Sequence, residues 1–175
     1  MADNKSVIIS TLGPSGTCSE YTSQYYLERN NIIGKIMLYS SFEEAIEILI
    51  NKKSDIAIVP SAYRNFSKLI FENNNKIKIT NSFMYDTPNL AIARKNLETN
   101  VTKIATHPSP SSLVQRVYPD AEIVFAESNS KAALMLLNGE VEACMTNYIC
   151  VEKYGFSIVE DFGPISMSWN VFERI

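Results

Sequence analysis

Four short segments of this 175-residue chain concentrate the side chains able to do chemistry, and each borders an apolar run. The first is Gly13-Pro14-Ser15-Gly16-Thr17-Cys18-Ser19-Glu20. Backbone N–H groups at a helix start, joined by the hydroxyls of Ser15, Thr17 and Ser19, make a donor set for a carboxylate or phosphate. The plainer reading of the same residues is a tight strand-to-helix turn, and without a lysine it is not a Walker loop. The second is Thr106-His107-Pro108-Ser109-Pro110-Ser111-Ser112, where prolines stiffen a hydroxyl-rich loop and Ser111 or Ser112 is placed to cap the next helix. His107 reads either as an acid–base group or as a structural hydrogen-bonding residue. The third, Pro60-Ser61-Ala62-Tyr63-Arg64, follows an apolar strand. Carboxyl ends of strands face the ligand crevice in open α/β sheets, which places Ser61, Tyr63 and Arg64 toward substrate. The fourth, Ser166-Met167-Ser168-Trp169-Asn170-Val171-Phe172, holds the only tryptophan. For that indole, core packing competes with a place in a pocket wall.

Some chemistries are excluded at once. With one histidine there is no multi-histidine metal centre, and Cys18, Cys144 and Cys150 are odd in number and irregularly spaced. That argues against a disulfide framework and a tetrahedral zinc site, and for buried, inert thiols. No metal and no cofactor is expected. No Ser/His/Asp triad can be read from spacing, and no paired carboxylates stand near these loops. An enzyme built on them must work with hydroxyls, backbone amides, one phenol and one imidazole.

The elements that must hold these loops alternate between short β-branched runs and segments of helical period, the pattern of strands joined by crossover helices. Strands are expected at Val7–Thr11, Ile36–Tyr39, Ile56–Val59, Ile77–Ile79, Leu90–Ala93, Lys103–Ala105, Glu122–Phe125, Ala143–Met145, Ser157–Val159 and Trp169–Phe172. Helices are expected from the Thr17/Glu20 capping box through Arg29, after the Ser41/Glu44 box with Phe42, Ala45, Ile46, Leu49 and Ile50 on one face, through Val117, and over Ser130–Asn138 and 146–154. Gly139 and Gly155 stand where glycine commonly ends a helix. Asn73-Asn74-Asn75 reads as a turn.

Hydrophobic residues make up 46% and charged residues 20% of the chain, a globular profile, and a net charge of −3 gives no general attraction to nucleic acid or anionic lipid. Met1-Ala2-Asp3-Asn4-Lys5-Ser6 runs straight into Val7-Ile8-Ile9 with no signal-like apolar stretch, so a cytoplasmic protein is expected. Around Phe83–Leu90 and Asp161–Ser168, strand follows strand without a helix. These two crossings predict an inserted lobe over 86–158 and a first lobe of 1–85 plus 159–175, with no C-terminal regulatory domain.

Together the motifs resemble the catalytic domain of prephenate dehydratase over nearly the whole chain. The matching residues are the Gly13–Glu20 loop, Ser41–Ile46, Ile58–Pro60, His107-Pro108, Ala132-Ala133 and Tyr154-Gly155. The resemblance implies an α/β fold of two periplasmic-binding-protein-like (type II) lobes with a ligand cleft between them. Departures from that family are as informative. Its Pro-x-Glu-Asn is Pro60-Ser61-Ala62-Tyr63 here, its Ser-His-Pro-Gln is Thr106-His107-Pro108-Ser109, and its terminal Asn-x-Thr-Arg-Phe gives way to Met167-Ser168-Trp169-Asn170.

The altered set is similar to the non-aromatizing prephenate decarboxylases of bacilysin-type biosynthesis, through Ala62-Tyr63, His107–Pro110, Thr146-Asn147 and Met167–Trp169. That resemblance implies decarboxylation of prephenate to a dihydro-4-hydroxyphenylpyruvate, early in a bacilysin-like antibiotic pathway. Tyr63, His107, Ser168 and Trp169 are then the expected catalytic set. Ser15, Thr17, Ser19, Ser61, Arg64, Ser109, Ser111, Ser112, Thr146, Asn147, Met167 and Asn170 are the expected substrate-binding set. Prephenate is the expected partner, with no nucleic acid and no membrane, and a homodimer is the oligomeric form to test. The alternatives are a divergent dehydratase forming phenylpyruvate and a non-catalytic small-anion-binding module.

Overall fold

The computed structural model describes residues 6–175; Met1–Lys5, on which part of the leader-free reading rests, lie outside the described residues. In chain order the elements are β1 (Val7–Leu12), α1 (Cys18–Arg29), β2 (Gly34–Tyr39), α2 (Phe42–Ile50), β3 (Ile56–Pro60), α3 (Phe66–Glu72), β4 (Ile77–Met84) and β5 (Leu90–Arg94). They continue with β6 (Lys103–Thr106), α4 (Ser111–Val117), β7 (Glu122–Phe125), α5 (Asn129–Leu137), β8 (Ala143–Asn147), α6 (Tyr148–Tyr154), β9 (Ser157–Gly163) and β10 (Ser168–Arg174). Two compact units result. One is the chain up to Tyr85 with Met167–Ile175, and the other is Asp86–Ser166. Residues 159–166, expected in the first lobe, belong to the second unit because β9 pairs along β5.

In the first unit the sheet order is β2-β1-β3-β10-β4, with β1 parallel to β2 and β3, and β10 antiparallel to β3 and β4. The carboxyl ends of β1 to β4 and the amino end of β10 therefore share one edge. Helix α2 covers one face, packing Phe42, Ile46 and Leu49 with Ala57, Val59 and Phe172. On the other face Leu27 of α1 packs with Ile9, Ile56, Ile58, Trp169 and Val171. β3 is buried at every position, as a central strand covered on both faces must be. Full burial of a side chain such as Ile46 or Leu49 contributes about 1.5–3 kcal/mol.

In the second unit the order is β7-β6-β8-β5-β9, with β6 parallel to β7 and β8, and β5 antiparallel to β8 and β9. Here too the carboxyl ends of β6 to β9 share an edge, with the amino end of β5. Ala132, Ala133 and Leu136 of α5 pack on one face with Ala93, Ala105 and Cys144, and Leu90, Ile92, Ile104, Val114 and Met145 fill the other.

The two capping boxes form with one change of detail. The hydroxyls of Thr17 and Ser41 accept from the N–H groups of Glu20 and Glu44. The returning carboxylates reach one residue further back than a simple box requires, to the N–H groups of Gly16 and Ser40. Helix α5 starts one residue before the expected Ser130 and is capped by Ser128. α6 begins at Tyr148 rather than 146, because Thr146 and Asn147 complete β8 and the Asn147 side chain caps the helix. Gly139 and Gly155 both adopt positive φ, +77° and +66°, the backbone that suits glycine after a helix. Helix α3 is an addition to the expected elements. Of the three cysteines, Cys144 and Cys150 are buried, and burial raises the Cys144 thiol pKa; Cys18 is only partly buried, which corrects its reading as a core thiol.

Candidate active site

At the loop edge of the first unit, β3 and β10 bring residues far apart in sequence into contact. Trp169 is registered opposite Pro60, the Ser61 N–H donates to the Ser168 carbonyl at 3.0 Å, and the two serine hydroxyls lie 2.7 Å apart. Asn170 completes the group: its Nδ2 donates to the Ser61 hydroxyl at 2.8 Å and to the Val59 carbonyl at 3.4 Å, while its Oδ1 accepts from Ser82 at 2.8 Å. Asn170 is buried and Ser61 exposed, so a fixed carboxamide aims an accessible hydroxyl. Arg64 is exposed on the loop that follows, and Met167 packs against the Trp169 cluster.

Tyr63 is held from two sides. Its ring packs on Phe42, centroids 4.8 Å apart, and its hydroxyl donates to the Glu43 carboxylate at 2.7 and 2.8 Å from the two oxygens. Asn65 Nδ2 donates to Glu43 at 3.3 Å and to the Tyr63 oxygen at 3.4 Å. Burial first, and then the hydrogen bond to Glu43 and its charge, push the Tyr63 phenol up to about 12. Burial acts to raise Glu43 as well, but hydrogen bonds from Tyr63, its own backbone and Asn65, with the charge of Lys68, bring it below the ordinary carboxylate value. Glu43 and Asn65 were not among the residues expected at the site.

Two expectations are corrected here. Trp169 is 1% exposed, a core residue among Ile9, Leu27, Ile56, Ile58 and Val171, with its indole N–H donated to the Tyr85 carbonyl at 3.1 Å. It presents no wall to a ligand. The Gly13–Glu20 loop spends its donors internally: the Ser15 hydroxyl and the Gly16 N–H bind the Glu20 carboxylate, at 2.9 and 2.6 Å to one oxygen. Thr17 is buried, donating to the Leu12 carbonyl while accepting from Glu20, and Ser19 is buried with its carbonyl accepting from Ser23.

At the loop edge of the second unit, His107 Nδ1 accepts from the Ser109 N–H at 3.2 Å, so the proton of the neutral ring resides on Nε2. Burial holds the imidazole below its ordinary value. Ser109 and Ser112 are exposed. Ser111 does not cap α4: its hydroxyl donates to the Pro108 carbonyl at 2.8 Å, and neither it nor Ser112 precedes the helix. Thr146 and Asn147 are completely buried at the adjacent end of β8. The Thr146 hydroxyl donates to the Asn129 carbonyl, and the Asn147 carboxamide accepts from Cys150 N–H. Their described bonds shape the β8–α6 corner, while the Asn129 side-chain oxygen beside it is buried without a hydrogen-bond partner.

Among the described residues no cluster of His, Cys, Asp and Glu is arranged to hold a metal ion, and no helix is long and apolar enough to cross a membrane.

The chain is similar to known proteins over most of its length. A curated relative, a prephenate decarboxylase of Bacillus subtilis (strain 168), is 30% identical, the alignment covering 98% of this chain and 88% of the relative. Among solved structures, a prephenate dehydratase from Arthrobacter aurescens in complex with L-Phe superposes with a TM-score of 0.74 at 16% identity. It is matched over 97% of this chain, which spans 61% of that protein's length. The BvgS VFT2 domain of Bordetella pertussis, a double mutant, gives a TM-score of 0.60 at 18% identity over 99% of this chain and 82% of that one. These two structural likenesses establish the fold alone: α/β, with two periplasmic-binding-protein-like lobes. The family model described as prephenate dehydratase matches residues 9–162, so the chain belongs to the prephenate dehydratase family.

Proposed function

We propose that this protein removes the ring carboxyl of prephenate and retains the ring hydroxyl, giving a dihydro-4-hydroxyphenylpyruvate. One observation carries the reading: two of the stretches in which the chain departs from the dehydratase pattern meet in the fold. The turn Ser61-Ala62-Tyr63 and the strand start Met167–Asn170 are joined by the Ser61–Ser168 and Ser61–Asn170 hydrogen bonds. The name of the Bacillus subtilis relative, prephenate decarboxylase, points the same way. The resemblance also favours an early step of a bacilysin-like pathway and a cytoplasmic location.

Dehydration requires the hydroxyl to leave as well as the carboxyl, and a positioned acid must assist that departure. Tyr63 donates its hydrogen bond to Glu43 and its phenol is pushed up to about 12, while burial keeps His107 neutral near pH 7. Both are weak acids in these settings, so hydroxide has little help to depart. Decarboxylation needs less. The bond between ring carbon and carboxyl breaks, its electron pair becomes a new ring double bond, an alkene carbon takes a proton and carbon dioxide leaves. The substrate's own carboxyl, in its protonated form, supplies that proton through a six-membered array, which asks no side chain to act as acid. Ser61, Tyr63, Ser168 and Asn170, all in the first unit, are the residues this reading assigns to substrate.

The test is NMR of the product formed from prephenate. A non-aromatic product that keeps the hydroxyl is expected. Phenylpyruvate as the main enzymatic product, after subtraction of the acid-promoted background, would overturn the reading in favour of a dehydratase, and no turnover would favour a binding module.

A further inference from the structure

We propose that Glu43 is a positioning residue which fixes Tyr63 as a hydrogen-bond acceptor for the ring hydroxyl of the substrate, and that this arrangement steers the reaction away from loss of hydroxide. The inference rests on the decarboxylase reading above and assigns it a source of product selectivity.

The geometry is specific. Glu43 lies in the first turn of α2, and both carboxylate oxygens are within hydrogen-bonding distance of the Tyr63 hydroxyl, at 2.7 and 2.8 Å. A phenol has one proton, and here it is committed to the carboxylate. What Tyr63 offers any other group is lone-pair density, of which Asn65 takes one share at a long 3.4 Å. Phe42 fixes the ring plane from the same helix that supplies Glu43, so the phenol is oriented by two consecutive residues. The charged groups acting on the pair are Glu43 itself and Lys68, whose charge favours the ionised carboxylate.

The chemical consequence follows from which partner holds the proton. A donor to a leaving hydroxyl stabilises the negative charge that builds on oxygen as the C–O bond breaks; an acceptor does the opposite and favours the intact alcohol. Tyr63 stands where dehydratases carry asparagine, whose amide can donate. Replacing it with a phenol alone would leave an acid in that place. The phenol paired to Glu43 is an acceptor, and so the carboxylate on α2 decides what the substituted residue does.

Glu43→Ala frees the Tyr63 proton, whereas Glu43→Gln retains a carbonyl able to accept it. Glu43 is exposed on α2, so neither substitution puts folding at stake. With labelled tyrosine, assigned through Tyr63→Phe, the Tyr63 phenol resonance is expected to titrate lower in Glu43→Ala than in the wild type and to move less in Glu43→Gln. On prephenate, Glu43→Ala is expected to raise the ratio of phenylpyruvate to the hydroxyl-retaining product by about tenfold, the scale of one such hydrogen bond in a transition state. Glu43→Gln should hold the ratio near wild type, and Glu43→Ala combined with Tyr63→Phe, which removes the freed donor, should bring the ratio back below that of Glu43→Ala. An active Glu43→Ala variant with the wild-type product ratio overturns the steering role, and an unmoved Tyr63 resonance overturns the pairing itself. Failure of the wild-type protein to act on prephenate would instead sink the decarboxylase reading, while the resonance still reports on the pair.

Discussion

Ser61 and Ser168, 107 positions apart in the chain, share a hydroxyl–hydroxyl hydrogen bond of 2.7 Å across the β3–β10 pair. The contact depends on β10 returning antiparallel between β3 and β4, since only that topology places the start of the last strand beside the end of the third. Asn170, one pleat further along, bonds to the same Ser61 hydroxyl from a buried position. Strand period accounts for this: Ser168 and Asn170 point to one side of the sheet, Trp169 and Val171 to the other.

Removing the shared hydroxyl tests the group directly. Ser61→Ala leaves Asn170 Nδ2 with only the Val59 carbonyl at 3.4 Å, so stability is expected to fall by about 0.5–1.5 kcal/mol in urea unfolding. If Ser61 meets substrate, kcat/KM for prephenate falls by about tenfold or more, beyond what that small stability loss can cause. An unchanged kcat/KM removes the serine pair from the site.

Much of this was legible from residue order. Apolar runs bounded by turn residues marked all ten strands, and the two capping boxes marked the starts of α1 and α2 at Thr17 and Ser41. Helix α3 was missed because Phe66, Leu69 and Ile70 give one turn of helical period at most, and no side-chain cap at Asn65 announces it. Glu43 was missed for a different reason. It lies on the solvent face of an amphipathic helix, where an acidic residue in the first turn is ordinary, and its partner is 20 residues away. Trp169 was misread although its strand carried the answer: a residue two before a buried valine shares its face.

Trp169 therefore answers to the core. Trp169→Ala is expected to cost about 3–5 kcal/mol, by cavity formation among Ile9, Ile58 and Val171. Trp169→Phe should cost less, as most of the volume is kept and the chief loss is the hydrogen bond to the Tyr85 carbonyl. Urea unfolding of both variants checks the order. A folded Trp169→Ala protein of wild-type stability would contradict the burial.

His107 gives a pH dependence whose sign is set by burial. Its folded-state value lies below the ordinary 6.5, so in the interval between the two the unfolded chain binds more protons. The stability it contributes is complete above the unfolded value and is lost as pH falls through the folded one. Unfolding free energies measured from pH 8 downward should show this decline beginning near the unfolded value, and His107→Gln should flatten that portion of the curve. A decline of equal slope in His107→Gln assigns it to other groups.

The Gly13–Glu20 loop yields the last prediction, because its own carboxylate occupies the donors that an anionic ligand would need. Glu20 accepts from the Ser15 hydroxyl and from the Gly16 N–H, and its backbone N–H is capped by Thr17. A second carboxylate at the same donors would meet like charge at contact distance and would have to displace this one. The loop is thus built first to start α1, and Glu20→Ala is expected to lower stability by about 0.5–2 kcal/mol through the exposed cap. The same variant separates the two uses of the loop. If the donors serve only the helix, KM for prephenate stays within about twofold of wild type, a difference of roughly 0.4 kcal/mol. If the substrate carboxylate competes with Glu20 for them, vacating the position tightens binding and KM falls well beyond that margin. The occupied geometry favours the first outcome, and a markedly lower KM in Glu20→Ala would return Ser15 and Gly16 to the substrate site.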